Sequence, residues 1–507
     1  MTALTTATLA LVRAGTEVPG YDRTAVTPGI LHIGVGGFHR SHQAAYLDAL
    51  LGLDPAARSF GICGVSLLPQ DRRIVDVLRA QDRLYTLLVR DVDGSTRARV
   101  IASIVEHLFA PDAPERVLDR MTDPSIRIVS MTITEGGYFL HPDRDRVDLE
   151  APSLVHDREQ PQHPVTAFGY ILEGLRRRRA AGTAPFTVLS CDNVHGNGDV
   201  TRRVVTALAA AQDEDLAAWV ASEVSFPNSM VDRITPRTSA DDVQEAAALT
   251  GLDDAWPVTC EAFSQWVIED RFPTGRPAWD RVGVQFVTDV TPYELLKMRV
   301  LNAGHQTITY PGWLLGHTYG HEAATDPTID RLLERYIRSE ASLTLPELPG
   351  VDVPEYGTTI MARFANPQIR DTVARLSSEA STMLATYVLP VIRDLLDAGR
   401  PAPAAIAVVA CWARFLDGVD DQGRPFAIAD VHAADLQARA ARHGDDLLAV
   451  VRGNPMFSGL AGRPEFERPY AKTLAAVRRD GTREALEQVL AGSAPAAQPP
   501  NALGQTS

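Results

Sequence analysis

Cysteine is scarce in this chain. The four cysteines, Cys63, Cys191, Cys260 and Cys411, stand far apart in 507 residues, and no Cys-x-x-Cys pair exists. That spacing excludes a zinc ribbon and a disulfide framework, and it suits a reducing cytoplasm. The 13 histidines form no His-Glu-x-x-His motif. His39 and His42 in "GFHRSH" have no cysteine or carboxylate beside them to complete a ligand set, so no metal site is expected. No run approaches the ~20 apolar residues of a membrane helix. The opening "MTALTTATLALVRAG" has no basic segment ahead of its apolar part, so no targeting signal is read there. Cations are also in deficit, with 49 Lys+Arg against 64 Asp+Glu and a formal charge of -15. Such a surface repels nucleic acid and anionic membranes, which leaves a small molecule as the expected partner. No internal repeat is present.

What is present is the composition of an ordinary globular protein. With 45% hydrophobic and 22% charged residues, the chain has material for two or three domains. Its first half alternates β-like and helix-like runs. "ILHIGV" (30–35), "FGICGV" (60–65), "IRIVSMTI" (126–133) and "FTVLS" (186–190) suit strands buried on both faces of a parallel sheet. "RRIVDVLRAQD" and "PERVLDRMTDP" carry helical spacing between them. The alternation predicts an α/β fold with an open parallel sheet. "YTLLVRDVDGSTRARVIASI" (85–104) breaks the rhythm and predicts an inserted β-hairpin turning at Asp93-Gly94. After "GVQFVTDV" (283–290), Ala/Leu-rich stretches with Gly and Pro punctuation predict a mainly α-helical domain. The expected organisation is a Rossmann-type dinucleotide-binding domain over 1–285, a helical substrate domain over 286–491 and a disordered tail over 492–507. "RRRR" (176–179) invites a phosphate-site reading. Its place at a helix end before Gly182 fits better with cations complementing the helix dipole.

The strand of "ILHIGVGGFHRSH" runs into Gly34-Val35-Gly36-Gly37. A Gly-x-Gly turn after the first strand of such a sheet is where a dinucleotide's pyrophosphate sits. The first glycine permits the tight turn, and the second lets phosphate approach the backbone. The sixth position of the Gly-x-Gly-x-x-Gly pattern is His39, and a purely structural turn is the alternative. Gly34, Gly36 and Gly37, with Phe38 and Arg40 just after them, form the expected cofactor set. After the second strand, Asp71 in "LPQDRR" is the nearby acid for an adenosine ribose; a helix N-cap is its structural alternative. Arg72 and Arg73 follow, so NAD is preferred and NADP stays open.

"DVTPYELLKMRVLNAGH" raises a different question. Thr291, Pro292 and Glu294 read as a capping box, which would give Glu294 a structural role. At about 100° per residue, Glu294, Lys297, Asn302 and His305 share one broad arc. A solvated face would give the same pattern. The apolar Leu295, Leu296, Met298, Val300 and Leu301 between them, and an asparagine placed mid-helix, weigh against it. Oxidising an alcohol needs a base for the hydroxyl proton, and a desolvated lysine serves. The developing alkoxide needs donors, and asparagine amides are suitable. Asn193 in "LSCDNVHGNGD", past the C-terminal end of a strand, is a second candidate donor or a plain turn former.

Taken together, these segments resemble the polyol-specific long-chain dehydrogenase family, from about residue 28 to about residue 480. The matches are "HIGVGGFHRSHQAAYLDAL", "ICGVSL" with "QDRR", "IRIVSMTITEGGY", "FTVLSCDN" with "GNG", "FPNSMVDRITP", "DDAWPVTCE" and "GVQF" followed by "DVTPYE", Lys297, Asn302 and His305. The resemblance implies a metal-independent enzyme, often monomeric, with a Rossmann-type domain and a helical domain. It implies that Lys297 is the general base, that Asn193 and Asn302 stabilise the oxyanion, and that His305 orients the substrate hydroxyls. Glu294 would gate proton transfer to solvent, Asp71 would favour NAD, Asp232 would lie by the nicotinamide, and Arg375 would contact substrate. Two positions depart from the family's pattern. Asn-Gly-Ser-His is replaced by Asn302-Ala303-Gly304-His305, and Met383 stands where a lysine is usual. The implied reaction interconverts an acyclic polyol and a 2-ketose, mannitol and fructose first, then arabinitol or another alditol, then a hexuronate such as fructuronate. A non-catalytic sugar or dinucleotide sensor on the same scaffold would have no need of Lys297.

Overall fold

The computed structural model describes residues 2–141 and 146–492, and the expected disordered tail lies, beyond Gly492, outside them. The chain divides into two compact units, Met1–Thr291 and a second that begins at Pro292. In chain order the strands are β1 (Pro28–Ile33), β2 (Gly61–Ser66), β3 (Tyr85–Arg90), β4 (Thr96–Ile101), β5 (Ile104–Phe109) and β6 (Ile128–Met131). They continue with β7 (Thr187–Ser190), β8 (Ser229–Asp232), β9 (Val258–Glu261), β10 (Gln265–Glu269) and β11 (Gln285–Val287).

The main sheet of the first unit is parallel, in the order β5-β2-β1-β6-β7. β2, β6 and β7 are buried along their whole length, which explains their continuous apolar runs. Helices Pro114–Thr122, Ala167–Ala180, Asn197–Gln212 and Glu214–Glu223 supply one core, packed on Val65, Val129 and Val188. Helix Gln43–Leu53, Trp266 and Trp279 build another, on Ile30, Ile62 and Leu189.

The expected hairpin is β3–β4, antiparallel from Tyr85↔Ile101 to Arg90↔Thr96, with Gly94 at φ +85° in its loop. β9 extends it in parallel. A third sheet, β11-β10-β8, completes the unit. Strands β8 to β10 had no signal of their own, because four or five residues of mixed polarity are too few to show a period. The boundary between units is later than the expected 285/286. β11 pairs with β10 (Ile268↔Phe286), so it is held in the first unit.

The arginine run shows more than a dipole effect. Arg176 and Arg177 pair with Glu173, and Arg179 lies over the Trp219 ring. Arg178 is buried at 2% exposure and donates to the carbonyls of Met121, Asp123, Ile126 and Ala184. Burial pulls its pKa down to about 10, still charged at neutral pH. One guanidinium thus ties the ends of helices Pro114–Thr122 and Ala167–Ala180 to the segment entering β6.

The second unit is helical. Its helix Pro403–Phe415, "PAAIAVVACWARF", is buried on nearly every side, as an all-round apolar helix should be. The Glu340 carboxylate accepts from Ala404 and Ala405 N–H at 2.7 and 2.8 Å and caps it. The four cysteines are unpaired and buried. Among the described residues no helix is long and apolar enough to cross a membrane.

Replacing Arg178 by Met leaves four carbonyls without their donor. Arg178→Met should cost roughly 3–5 kcal/mol, read as a lower urea midpoint. A loss below about 1 kcal/mol would show that water satisfies those carbonyls equally well.

Candidate functional site

The turn after β1 is shaped by the protein at one glycine and not at the next. Gly34 has φ +96°, and a Cβ there would fall 2.1 Å from Thr132 O. No other residue fits. Gly36 has φ -95°, and the nearest atom to a Cβ there is Gly34 O at 4.0 Å. Neither strain nor crowding from the protein demands glycine at 36. No side chain caps the helix Gly37–Ser41 that follows. An open approach to bare backbone at a helix start fits a pyrophosphate.

Beneath this turn lies a buried polar layer. His32 Nδ1 lies 2.8 Å from Ser130 Oγ, which donates to Gln43 Oε1. His32 Nε2 is 3.0 Å from Thr132 Oγ1, which donates to Gly34 O. The ring of His39 stacks on His32 at 3.5 Å and 9°. This accounts for the departure at the sixth position of the glycine pattern. A small residue there normally lets helix and strand approach closely, and here two flat rings achieve a close fit. Burial pushes the pKa of His32 down to about 3 and that of His107 to about 4, and holds His39 well below its usual value. Arg40, expected in the cofactor set, turns inward. Its guanidinium donates to Trp256 O and Gly36 O and lies over Tyr85, so it braces the turn from inside. Phe38 stacks on His42.

Asp71 ends a short turn after β2 and accepts a long bond from Leu68 N–H, with its pKa raised by partial burial. The two arginines after it are engaged. Arg72 forms a bidentate pair with Asp112 and lies 4.2 Å from the Phe109 ring centre. Arg73 lies over Trp256.

Asn193 is exposed just past β7. Its neighbour Asp192 is a buried carboxylate that organises two loops. It accepts from the N–H groups of Ile133 and Thr134 and from Tyr138 Oη. Thr134 is held at φ +64°, a strained value for a β-branched residue. Asn197 Nδ2 bonds Asp192 O and Ser229 O, fixing the loop from its other end. Asp232 is buried at the end of β8.

In the second unit, "ELLKMRVLNAGH" is helical throughout, but not uniformly. Thr291–Leu296 is α-helical, Lys297–Asn302 is π-helical, and Ala303–Leu315 is α-helical again. The Ala303 N–H reaches back to Met298 O, five residues away. The expected 100° spacing therefore fails between Lys297 and Asn302. Short π-helical turns are frequent at functional sites. The Thr291 N–H at the start of this helix donates to Asp289 Oδ1. Lys297 and Glu294 are buried, and Asn302 and His305 are half-buried. Tyr336 Oη donates to Arg299 O inside the widened turn, and the Arg299 guanidinium pairs with Asp394, so the turn is anchored on both sides. One signal favours Lys297 strongly. The chain has only two lysines, Lys297 and Lys472, and apart from its histidines all its other basic side chains are arginine.

Arg375 lies on a short helix, Val373–Leu376, with its guanidinium exposed and paired with Asp371. Met383 ends helix Ala380–Met383 and is half-buried, just before a second π-helical stretch, Leu384–Val388. Among the described residues, no group of three His, Cys, Asp or Glu is placed to hold a metal.

A glycine turn on the first strand of a sheet ordered β5-β2-β1-β6-β7, with an acid after the second strand, defines a Rossmann-type dinucleotide-binding unit. A helical unit follows it. The chain belongs to the mannitol dehydrogenase family: residues 28–281 match the mannitol dehydrogenase Rossmann domain, and 289–478 the mannitol dehydrogenase C-terminal domain. It is 41% identical to the mannitol 2-dehydrogenase of Phaeosphaeria nodorum, over 93% of this chain and 83% of that one. The solved Pseudomonas fluorescens mannitol 2-dehydrogenase, a ternary complex with NAD and D-mannitol, is 39% identical with a TM-score of 0.85. That match covers 97% of this chain and 100% of the other. A solved D-sorbitol dehydrogenase in substrate-free form is 34% identical with a TM-score of 0.89, covering 96% and 100%.

The buried imidazoles beneath the turn set a pH dependence. Unfolded histidine titrates near 6.5, whereas folded His32 and His107 are pushed to about 3 and about 4. Between these values the unfolded chain binds more protons. Their contribution is complete above about pH 6.5 and is lost as pH falls toward 4 and 3, by on the order of 2 kcal/mol for each imidazole at pH 5. The urea midpoint should drop sharply between pH 7 and 5. An unchanged midpoint would mean that these imidazoles titrate in the folded protein as they do in the unfolded chain.

Proposed function

We propose that this protein is an NAD-dependent polyol dehydrogenase that interconverts an acyclic alditol and a 2-ketose, D-mannitol and D-fructose first. The observation that carries the reading is the single buried lysine on the π-helical turn of a chain that otherwise uses arginine. A guanidinium keeps its proton at every working pH, whereas an amine can act as a base. The names of the relatives and the NAD–mannitol complex point to the same chemistry.

Bound NAD would supply the acceptor for the hydride that leaves the carbinol carbon. Lys297 takes the hydroxyl proton as the hydride leaves, and Glu294, three residues earlier on the helix, passes it to solvent. The amides of Asn193 and Asn302 donate to the developing alkoxide. His305 orients the neighbouring hydroxyls, and Asp232 stands by the nicotinamide end. Asp71 takes the adenosine ribose hydroxyls. Arg72 is paired with Asp112, which favours NAD over NADP. Arg375 stays outside the reaction steps, since its charge is paired with Asp371. No step calls for a metal. A cytoplasmic monomer completes the reading. The D-sorbitol dehydrogenase relative makes sorbitol the second substrate to try.

The first test is NADH formation on a panel of alditols at alkaline pH. Activity should survive EDTA, and EDTA sensitivity would sink the metal-free reading. Turnover on no alditol or ketose would favour a sensor. Lys297→Arg should be as inactive as Lys297→Ala, with kcat down roughly 10²–10⁴-fold and NADH affinity unchanged. An arginine variant that keeps most activity would remove Lys297 as the base. Gly36→Val should weaken NADH binding with little change in the urea midpoint, and unchanged binding would remove the turn from the cofactor site.

A further inference from the structure

His305 and Phe364 come from separate helices of the second unit and meet face to face. Their ring centres are 4.1 Å apart and the planes are inclined at 31°. Phe364 ends the helix Val353–Phe364 and is buried. The residue before His305 makes room for this contact. A Cβ on Gly304 would stand 3.0 Å from Phe364 Cε2 and 3.4 Å from Leu333 Cδ1. Gly304 lies inside a helix and has no positive φ, so its backbone does not need glycine, and glycine is a poor helix former. What glycine provides here is space, and the edge of the Phe364 ring fills it. A side chain at 304 obliges that ring to give by a few tenths of an ångström against the imidazole.

We propose that Phe364 is the positioning residue for His305, and that Gly304 is the gap that admits it. A tilted aromatic contact at this distance biases a side-chain rotamer several-fold. It therefore holds the plane of the imidazole toward the substrate, and with it biases the hydroxyl configuration the site accepts at and beside the reacting carbon. The inference rests on the reading of His305 as the residue that orients the substrate hydroxyls.

Phe364→Leu keeps an apolar side chain and removes the ring. It should raise KM for the preferred alditol about tenfold with a smaller change in kcat. Discrimination between D-mannitol and its C2 epimer D-sorbitol should narrow by a similar factor. Phe364→Tyr should restore both. Gly304→Ala should shift KM and selectivity in the same direction by a smaller factor with Phe364 still present, and the double variant should be no worse than Phe364→Leu, since both act on one contact. The His305 ring protons, assigned with His305→Gln, should move downfield when the Phe364 ring is removed. This readout requires no turnover. No movement would overturn the contact. A raised KM in His305→Gln with an unchanged KM in Phe364→Leu would overturn the positioning role alone. An unchanged KM and selectivity in His305→Gln would overturn the reading of His305 itself.

Discussion

The end of β1 passes so close to the residue after β6 that a side chain at Gly34 would sit 2.1 Å from the carbonyl of Thr132. Much of the first unit's site depends on that approach. It goes with the positive φ at Gly34, a sharp turn into Gly36 and Gly37, and a helix that starts past the carboxyl end of the central strand. The approach is held by hydrogen bonds rather than by apolar packing. Thr132 Oγ1 donates to Gly34 O, and His32 spans Thr132 and Ser130 from below. A charged imidazole in that layer would be costly, so the turn depends on a histidine kept neutral by burial.

The second unit meets a comparable constraint by other means. A helix that carries Lys297, Asn302 and His305 must place three polar groups without surrendering its own burial. The π-helical turn changes their angular spacing locally while α-helix continues on both sides. Such a turn loosens the main-chain ladder, and Tyr336 supplies a donor to the carbonyl of Arg299 within it. The tyrosine and the Arg299–Asp394 pair are therefore part of what holds the lysine helix in shape, though neither carries a reactive group.

Several charged side chains are held inside the first unit. Arg178, Arg40 and Asp192 are buried and spend their hydrogen bonds on main-chain groups of distant segments. Each is surrounded by partners that satisfy it, which is the condition for burying charge at tolerable cost. Arginine suits this task because it stays protonated and offers several donors in a fixed fork. Lysine does not, and the chain keeps it at two positions only.

The alternation of strands and helices, the hairpin at Asp93-Gly94 and the glycine turn were legible in the sequence, because local periodicity and turn chemistry act over a few residues. The cluster of Lys297, Asn302 and His305 was legible too, as polar residues interrupting an apolar helical pattern. Strands β8 to β10 were not, since their pairing partners lie elsewhere in the chain and their length is too short for a period. The same limit hid the role of Asp192, whose ligands at Ile133 and Thr134 come from another loop. It also hid the contact of Phe364 with His305 across two helices. The sequence by itself determined which residue types could bind a dinucleotide and move a proton. Only the tertiary structure decided that a helix would widen at Lys297, that His39 would stack on His32 under the turn, and that Gly304 would serve as space for a phenylalanine. Those outcomes depend on close packing between segments remote in the chain, where a few tenths of an ångström determine what fits.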